Sequence, residues 1–127
     1  MRILVVDDYA PFRSSVARFL RHHHHVDVVE AEDGIEALER LREGVFDAIL
    51  LDLEMPRMDG VELFERLSAD AASKTFLMTA GGRKEQEAWL TGFDADRVLR
   101  KPIDLERLTA VVTAAAARAP AAKPNSA

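Results

Sequence analysis

Two short apolar runs that do not alternate, each ending in carboxylates, constrain this chain most. Ala48-Ile49-Leu50-Leu51 runs into Asp52, and Ile3-Leu4-Val5-Val6 runs into Asp7 and Asp8. A strand with one wet face alternates polar and apolar residues. A strand without alternation is covered on both faces, as in the middle of a parallel sheet. It offers no polar side chain until its carboxyl end, and in open α/β sheets the crevice beyond those ends is where ligands bind. Asp7, Asp8 and Asp52 are therefore expected where such a fold does its chemistry.

The punctuation between the runs supports alternating strands and helices. Pro56 cannot donate to a ladder and pushes Met55 from helical angles, so a loop separates the Asp52 strand from the next helix. Asp59 with Glu62 reads as a capping box opening a helix at Gly60-Val61 and running to about Leu67. Pro11 suits a helical first turn, and Phe12, Val16, Phe19 and Leu20 recur behind it at helical spacing. Val26 to Val29 is a short second strand. Asp33-Gly34 opens a helix with Ile35, Leu38 and Leu41 on one face, closed by Gly44 in the C′ position. Phe76 to Thr79 is a strand ending on a hydroxyl, followed by an Ala80-Gly81-Gly82 loop and a helix from about Arg83 to Leu90. Val98 to Lys101 is a last strand halted by Pro102, and Asp104 is expected to cap a final helix. Five strands alternating with five helices predict a parallel sheet with right-handed crossovers.

Length and composition narrow the function. The 127 residues suffice for one domain, expected over residues 1–118, with a Pro/Ala-rich tail over 119–127 expected to be frayed or disordered. The absence of cysteine excludes disulfides, a thiolate zinc site and a thiol nucleophile. A net charge of −5 argues against nucleic acid and membrane surfaces, and Arg97, Arg100, Lys101 and Arg107 are too scattered for a nucleic-acid footprint. No apolar run is long enough for a signal peptide or a span, so the expectation is a soluble cytoplasmic protein. Imidazoles ligate transition metals, but the consecutive residues His22 to His25 cannot all converge on one ion. They are expected to form a solvated helix-to-strand turn.

The polar residues at four strand ends form the candidate site: Asp7 and Asp8, Asp52, Thr79 and Lys101. Carboxylates converging on one crevice repel each other, and a hard cation such as Mg²⁺ relieves the repulsion while keeping positions open for a phosphate. A carboxylate can also attack phosphorus to give an aspartyl phosphate. Lys101 and Thr79 would then neutralise or bond the equatorial oxygens. On these residues alone, phosphoryl transfer onto Asp52 stands beside a plainer reading in which charged strand ends serve as helix caps.

Val5-Val6-Asp7-Asp8, with Arg13 behind it, resembles the opening motif of two-component response-regulator receiver domains. Leu51-Asp52-Leu53-Glu54-Met55-Pro56-Arg57-Met58-Asp59-Gly60 resembles their phosphoacceptor motif, Met78-Thr79-Ala80 their hydroxyl segment, and Arg100-Lys101-Pro102 their Lys-Pro motif. The resemblance spans about residues 1 to 118. It implies a flavodoxin-like doubly wound five-stranded parallel sheet of strand order 2-1-3-4-5 with five helices. It also implies that Asp52 accepts a phosphoryl group from a histidine kinase or phosphotransfer protein. Mg²⁺ would be bound by Asp8, Asp52 and the backbone carbonyl of Glu54, with Asp7 acting mainly through a coordinated water. Lys101 would pair with the phosphoryl group, and Thr79 would swing toward it. Modification would then bias the face of the fourth helix, fifth strand and fifth helix toward a downstream protein partner. The expected form is a switch without a fused output domain, monomeric or dimerising on phosphorylation, and not a turnover enzyme.

Three positions depart from the family pattern. Val98 stands where many receivers carry an aromatic residue coupled to the threonine. The spacing from Asp52 to Thr79 is short, which predicts a tight connection around Ala69 to Lys74. Gly81, two beyond Thr79, stands where larger residues often screen the phosphoryl group. Two rival functions use the same residues: a receiver-like module that binds partners without phosphorylation, and a Mg²⁺-dependent phosphohydrolase with an aspartyl intermediate. The second needs a substrate pocket and a general acid near Asp52, and no insertion supplies either.

Overall fold

The computed structural model describes residues 1–56 and 58–118, so the expected tail over 119–127 lies outside the described residues. Five parallel strands form one sheet: β1 (Arg2–Val6), β2 (Asp27–Ala31), β3 (Ala48–Asp52), β4 (Thr75–Thr79) and β5 (Val98–Arg100). Their order is 2-1-3-4-5, as the resemblance implied. Successive side chains leave a strand on opposite faces, and here both faces are covered. Ile3, Val5, Ala48 and Leu50 pack on one side with α1 (Ala10–His24) and α6 (Leu105–Arg118). Leu4, Val6, Ile49 and Leu51 pack on the other with α2 (Gly34–Glu43), α3 (Gly60–Glu65) and α5 (Lys84–Leu90). This two-sided burial is why the sequence runs lack alternation, and each buried Val, Leu or Ile side chain contributes about 1.5–3 kcal/mol.

Register sets the strand ends level. Val6 pairs with Leu51, so Asp7 and Asp52 leave the sheet side by side. Asp52 pairs with Met78 and Thr79 with Arg100, which brings Thr79 and Lys101 to the same edge. Asp33 and Asp59 cap α2 and α3 as expected, each side chain accepting from the backbone N–H three residues on. Pro11 lies in the first turn of α1.

Three local expectations differ. The tight connection before β4 is itself a helix, α4 (Ala69–Ser73), so the described residues hold six α-helices and a 3₁₀ turn (Ala95–Arg97) rather than five helices. Ser68 caps α4 through its hydroxyl, which accepts from Ala71 N–H. The histidine run is no turn: His22, His23 and His24 complete α1, and only His25 leaves it, with a left-handed φ of 55°. No helix breaker interrupts the run, and the negative end of the helix dipole suits imidazoles. His23 stacks on Phe19 and His24 Nε2 lies 3.0 Å from Thr109 Oγ1 of α6, while His22 and His25 are exposed, so the run is helical but still largely solvated. Gly44 ends α2 in an extended conformation, not the left-handed one that a C′ glycine suggests. Among the described residues no helix is long and apolar enough to cross a membrane.

Candidate functional site

Asp7 and Asp52 are fully buried at the carboxyl ends of β1 and β3, while Asp8 faces solvent. One carboxylate oxygen from each of the three lies within 4.8 Å of the others. Local bonds hold two of them in place. Asp7 Oδ1 accepts from Tyr9 N–H at 2.9 Å, and Asp52 Oδ1 accepts from Glu54 N–H at 3.2 Å. Arg13 donates to the Asp7 carbonyl at 2.7 Å and to Glu30 at 2.9 Å, tying α1 to the β1–β2 edge.

The loop after Asp52 owes its path to Gly60. A Cβ there would meet the Asp52 carbonyl oxygen and lie 2.6 Å from Leu53 Cα, so only glycine allows α3 to start this close to the strand end. Gly60 N–H donates to the Leu53 carbonyl at 3.1 Å and completes the turn. On the far side, Gly81 and Gly82 of the β4–α5 loop carry φ of 87° and 100°, a region that side chains disfavour.

Lys101 supplies the positive charge. Its Nζ donates to Asp7 Oδ2 at 2.9 Å and lies 3.3 Å from Asp52 Oδ1, resting 4.6 Å above the centre of the Phe12 ring. Burial disfavours the ammonium, but the hydrogen bond to Asp7 and the charges of Asp52 and Asp7 outweigh it and hold the Lys101 pKa above the ordinary lysine value. Asp52 is pushed toward its neutral form. Burial first, and the neighbouring Asp7 charge second, raise its pKa to about 7, against the opposing pull of Lys101. Without a cation beyond Lys101 the cluster is short of positive charge. Hard oxygen donors at this separation fit a divalent ion such as Mg²⁺.

Thr79 and Glu54 face each other across the crevice. The buried Thr79 hydroxyl donates to Glu54 Oε2 at 2.6 Å, and Ala80 N–H donates to Glu54 Oε1 at 2.9 Å. All six predicted site residues, Asp7, Asp8, Asp52, Glu54, Thr79 and Lys101, thus lie on one edge of the sheet. The family resemblance assigns Glu54 only its backbone carbonyl, whereas its side chain also takes part through Thr79 and Ala80. The sequence also missed Phe12 beneath Lys101 and the Gly60 approach, although a glycine following a helix-capping aspartate is a usable signal.

The basic residues beside the site are engaged by their own chain. Arg97 donates to the Thr75 and Ala72 carbonyls, Arg107 to those of Ala95 and Val98, and Arg100 bidentately to Glu87 of α5 at 2.6 and 2.8 Å. Half-buried Trp89 packs edge-on to Phe64 and against Phe93, so its ring is engaged by its own chain.

A family model described as the response regulator receiver domain matches residues 3–113. The chain belongs to this family. This receiver is 37% identical over 89 residues to the chemotaxis protein CheY-3 of Vibrio cholerae, covering 68% of each chain. It is 38% identical over 112 residues to the response regulator MprA of Mycobacterium avium, covering 87% of this chain and 48% of that protein. Among solved structures it resembles a CheY-like receiver domain protein from Methanospirillum hungatei, with a TM-score of 0.76 at 26% identity over 89% of this chain and 90% of that one. The receiver is a two-component signalling module, a switch rather than a turnover enzyme. Its Asp7, Asp8 and Asp52 form the acidic triad typical of a receiver Mg²⁺ site.

Proposed function

We propose that this receiver accepts a phosphoryl group on Asp52 from a histidine kinase or phosphotransfer protein, in a Mg²⁺-dependent reaction, and signals through a protein partner. The observation that carries the reading is the convergence of three carboxylates within 4.8 Å of one another, with Lys101 Nζ 3.3 Å from Asp52. Asp8, Asp52 and the Glu54 carbonyl would hold the ion, with Asp7 supporting it through water and through its bond to Lys101. When bound, Mg²⁺ offsets the charge on the phosphoryl oxygens and keeps Asp52 ionised.

In the transfer, an Asp52 carboxylate oxygen forms a bond to phosphorus as the bond from phosphorus to the donor imidazole nitrogen breaks. The imidazole leaves with the electron pair and takes up a proton. Lys101 pairs with one phosphoryl oxygen, and the Thr79 hydroxyl donates to another. The unit that does this is residues 1–118.

The output face in this reading is α5, β5 and α6. Val98 removes the aromatic residue that many receivers use there, and the Arg100–Glu87 pair instead joins β5 to α5. In this reading that pair would carry a change at Thr79 and Lys101 to α5.

Incubation with a radiolabelled phosphohistidine donor and Mg²⁺ tests the reading. The expected label is released by hydroxylamine, as an acyl phosphate is, and is absent from Asp52→Asn. Label retained by that variant, or no label on the wild type, contradicts it.

A further inference from the structure

Two of the donors at the carboxyl end of β4 already hold an anion, and that anion is part of the chain. The Glu54 carboxylate is gripped at both oxygens, by the Thr79 hydroxyl at 2.6 Å and by Ala80 N–H at 2.9 Å. The Thr79 hydroxyl is committed on its other side as well, since its oxygen accepts from Gly81 N–H at 2.9 Å. A hydroxyl carries one proton, so Thr79 cannot donate to a second anion while it donates to Glu54. Glu54 meanwhile donates its own N–H to Asp52 Oδ1, which fixes the start of its side chain beside the acceptor.

We infer that Glu54 is a resident carboxylate that stands in for phosphoryl oxygens, and that modification of Asp52 proceeds by exchange of this carboxylate off Thr79 and Ala80. The inference rests on the proposed acceptance of a phosphoryl group by Asp52. Glu54 is then a positioning residue. It holds Thr79 and the β4–α5 loop in the resting arrangement and slows acceptance by the strength of the contact that must break. Both bonds run to an ionised acceptor, which makes them stronger than neutral ones. The arrangement also gives Thr79 a two-state partner, Glu54 or phosphoryl, in a chain where Val98 offers no aromatic side chain to follow it.

The test is the rate at which acetyl phosphate with Mg²⁺ modifies the wild type, Glu54→Ala and Glu54→Asp, read by intact mass, with circular dichroism to establish that each variant is folded. Alanine removes the carboxylate. Aspartate keeps the charge but withdraws it by one methylene, so it cannot span both donors. The inference predicts that both variants are modified faster, by about tenfold for alanine, the equivalent of one charge-assisted hydrogen bond. It also predicts an upfield shift and faster exchange of the Ala80 amide proton in both unmodified variants. Rates equal to wild type in both variants overturn the inference and leave the Asp52 reading intact. A fast alanine variant beside an aspartate variant at the wild-type rate also overturns it, because repulsion of the anionic donor, not the contact, is then the cause. Absence of modification in all three proteins overturns the Asp52 reading and this inference with it.

Discussion

Lys101 Nζ lies closer to Asp7 Oδ2, at 2.9 Å, than to Asp52 Oδ1, at 3.3 Å, so the ammonium is shared unequally between two buried carboxylates. The more tightly held partner is not the candidate acceptor. Lys101 keeps Asp7 paired while leaving Asp52 only partly neutralised, which suits a group that has to react.

Removing that ammonium while keeping the stem tests the division. Lys101→Met should destabilise the metal-free receiver by about 2 kcal/mol at pH 8, below the full penalty for breaking a buried pair because Lys101 is partly exposed. The loss should shrink toward pH 5, where Asp52 is protonated. Thermal melts of the variant and the wild type across this range measure it.

The raised pKa of Asp52 makes a second prediction. Between its ordinary value of 3.8 and about 7, the folded protein holds a proton there that the unfolded chain has lost. Stability of the metal-free protein therefore falls as pH rises through this window. Asp52→Asn removes the buried charge and should be more stable than the wild type at pH 8, by on the order of 2 kcal/mol, with the difference shrinking as pH falls through the window and closing only near 3.8. Chelator-treated samples melted at several pH values give the result directly.

Proton and metal compete for the same carboxylate. Mg²⁺ affinity should rise with pH through about 7 and level off above it, because Asp52 must ionise to bind. Asp8→Asn should weaken binding at every pH by about tenfold or more, the scale already seen for outer-shell partners. Calorimetric titration in buffers of different ionisation enthalpy reads both the affinity and the proton released.

Gly60→Ala tests the loop geometry. A methyl group there collides with backbone atoms of Asp52 and Leu53, which cannot swing aside as a side chain can. The expected cost is about 1–3 kcal/mol, with slower modification because the Glu54 carbonyl and N–H shift with the loop. Denaturant unfolding and a modification time course report the two effects separately.

The fold was legible because buried parallel strands carry their own signature, and Ile3–Val6 and Ala48–Leu51 could hardly be anything else. α4 was not legible. Five residues show no periodicity, and the helix forms through local bonds: Ser68 to Ala71 N–H, and the Thr75 hydroxyl to the Ala71 carbonyl. The end of α1 was misplaced because four histidines look like a polar turn, although none of them breaks a helix. At the site, the charged strand ends could be read directly, since register alone brings them together. The reach of the Glu54 side chain to Thr79 and Ala80 could not, because it depends on how the β3–α3 loop lies across the edge of β4. Arg97 likewise read as a scattered surface charge, yet it binds backbone carbonyls at the start of β4.

Intact mass after incubation with acetyl phosphate and Mg²⁺, beside Asp52→Asn and a chelated control, tests the acceptor role of Asp52 most directly. A gain of one phosphoryl group by the wild type, absent from both controls, is the predicted result. A gain that survives in Asp52→Asn, or a wild type that binds Mg²⁺ and gains nothing, would contradict it.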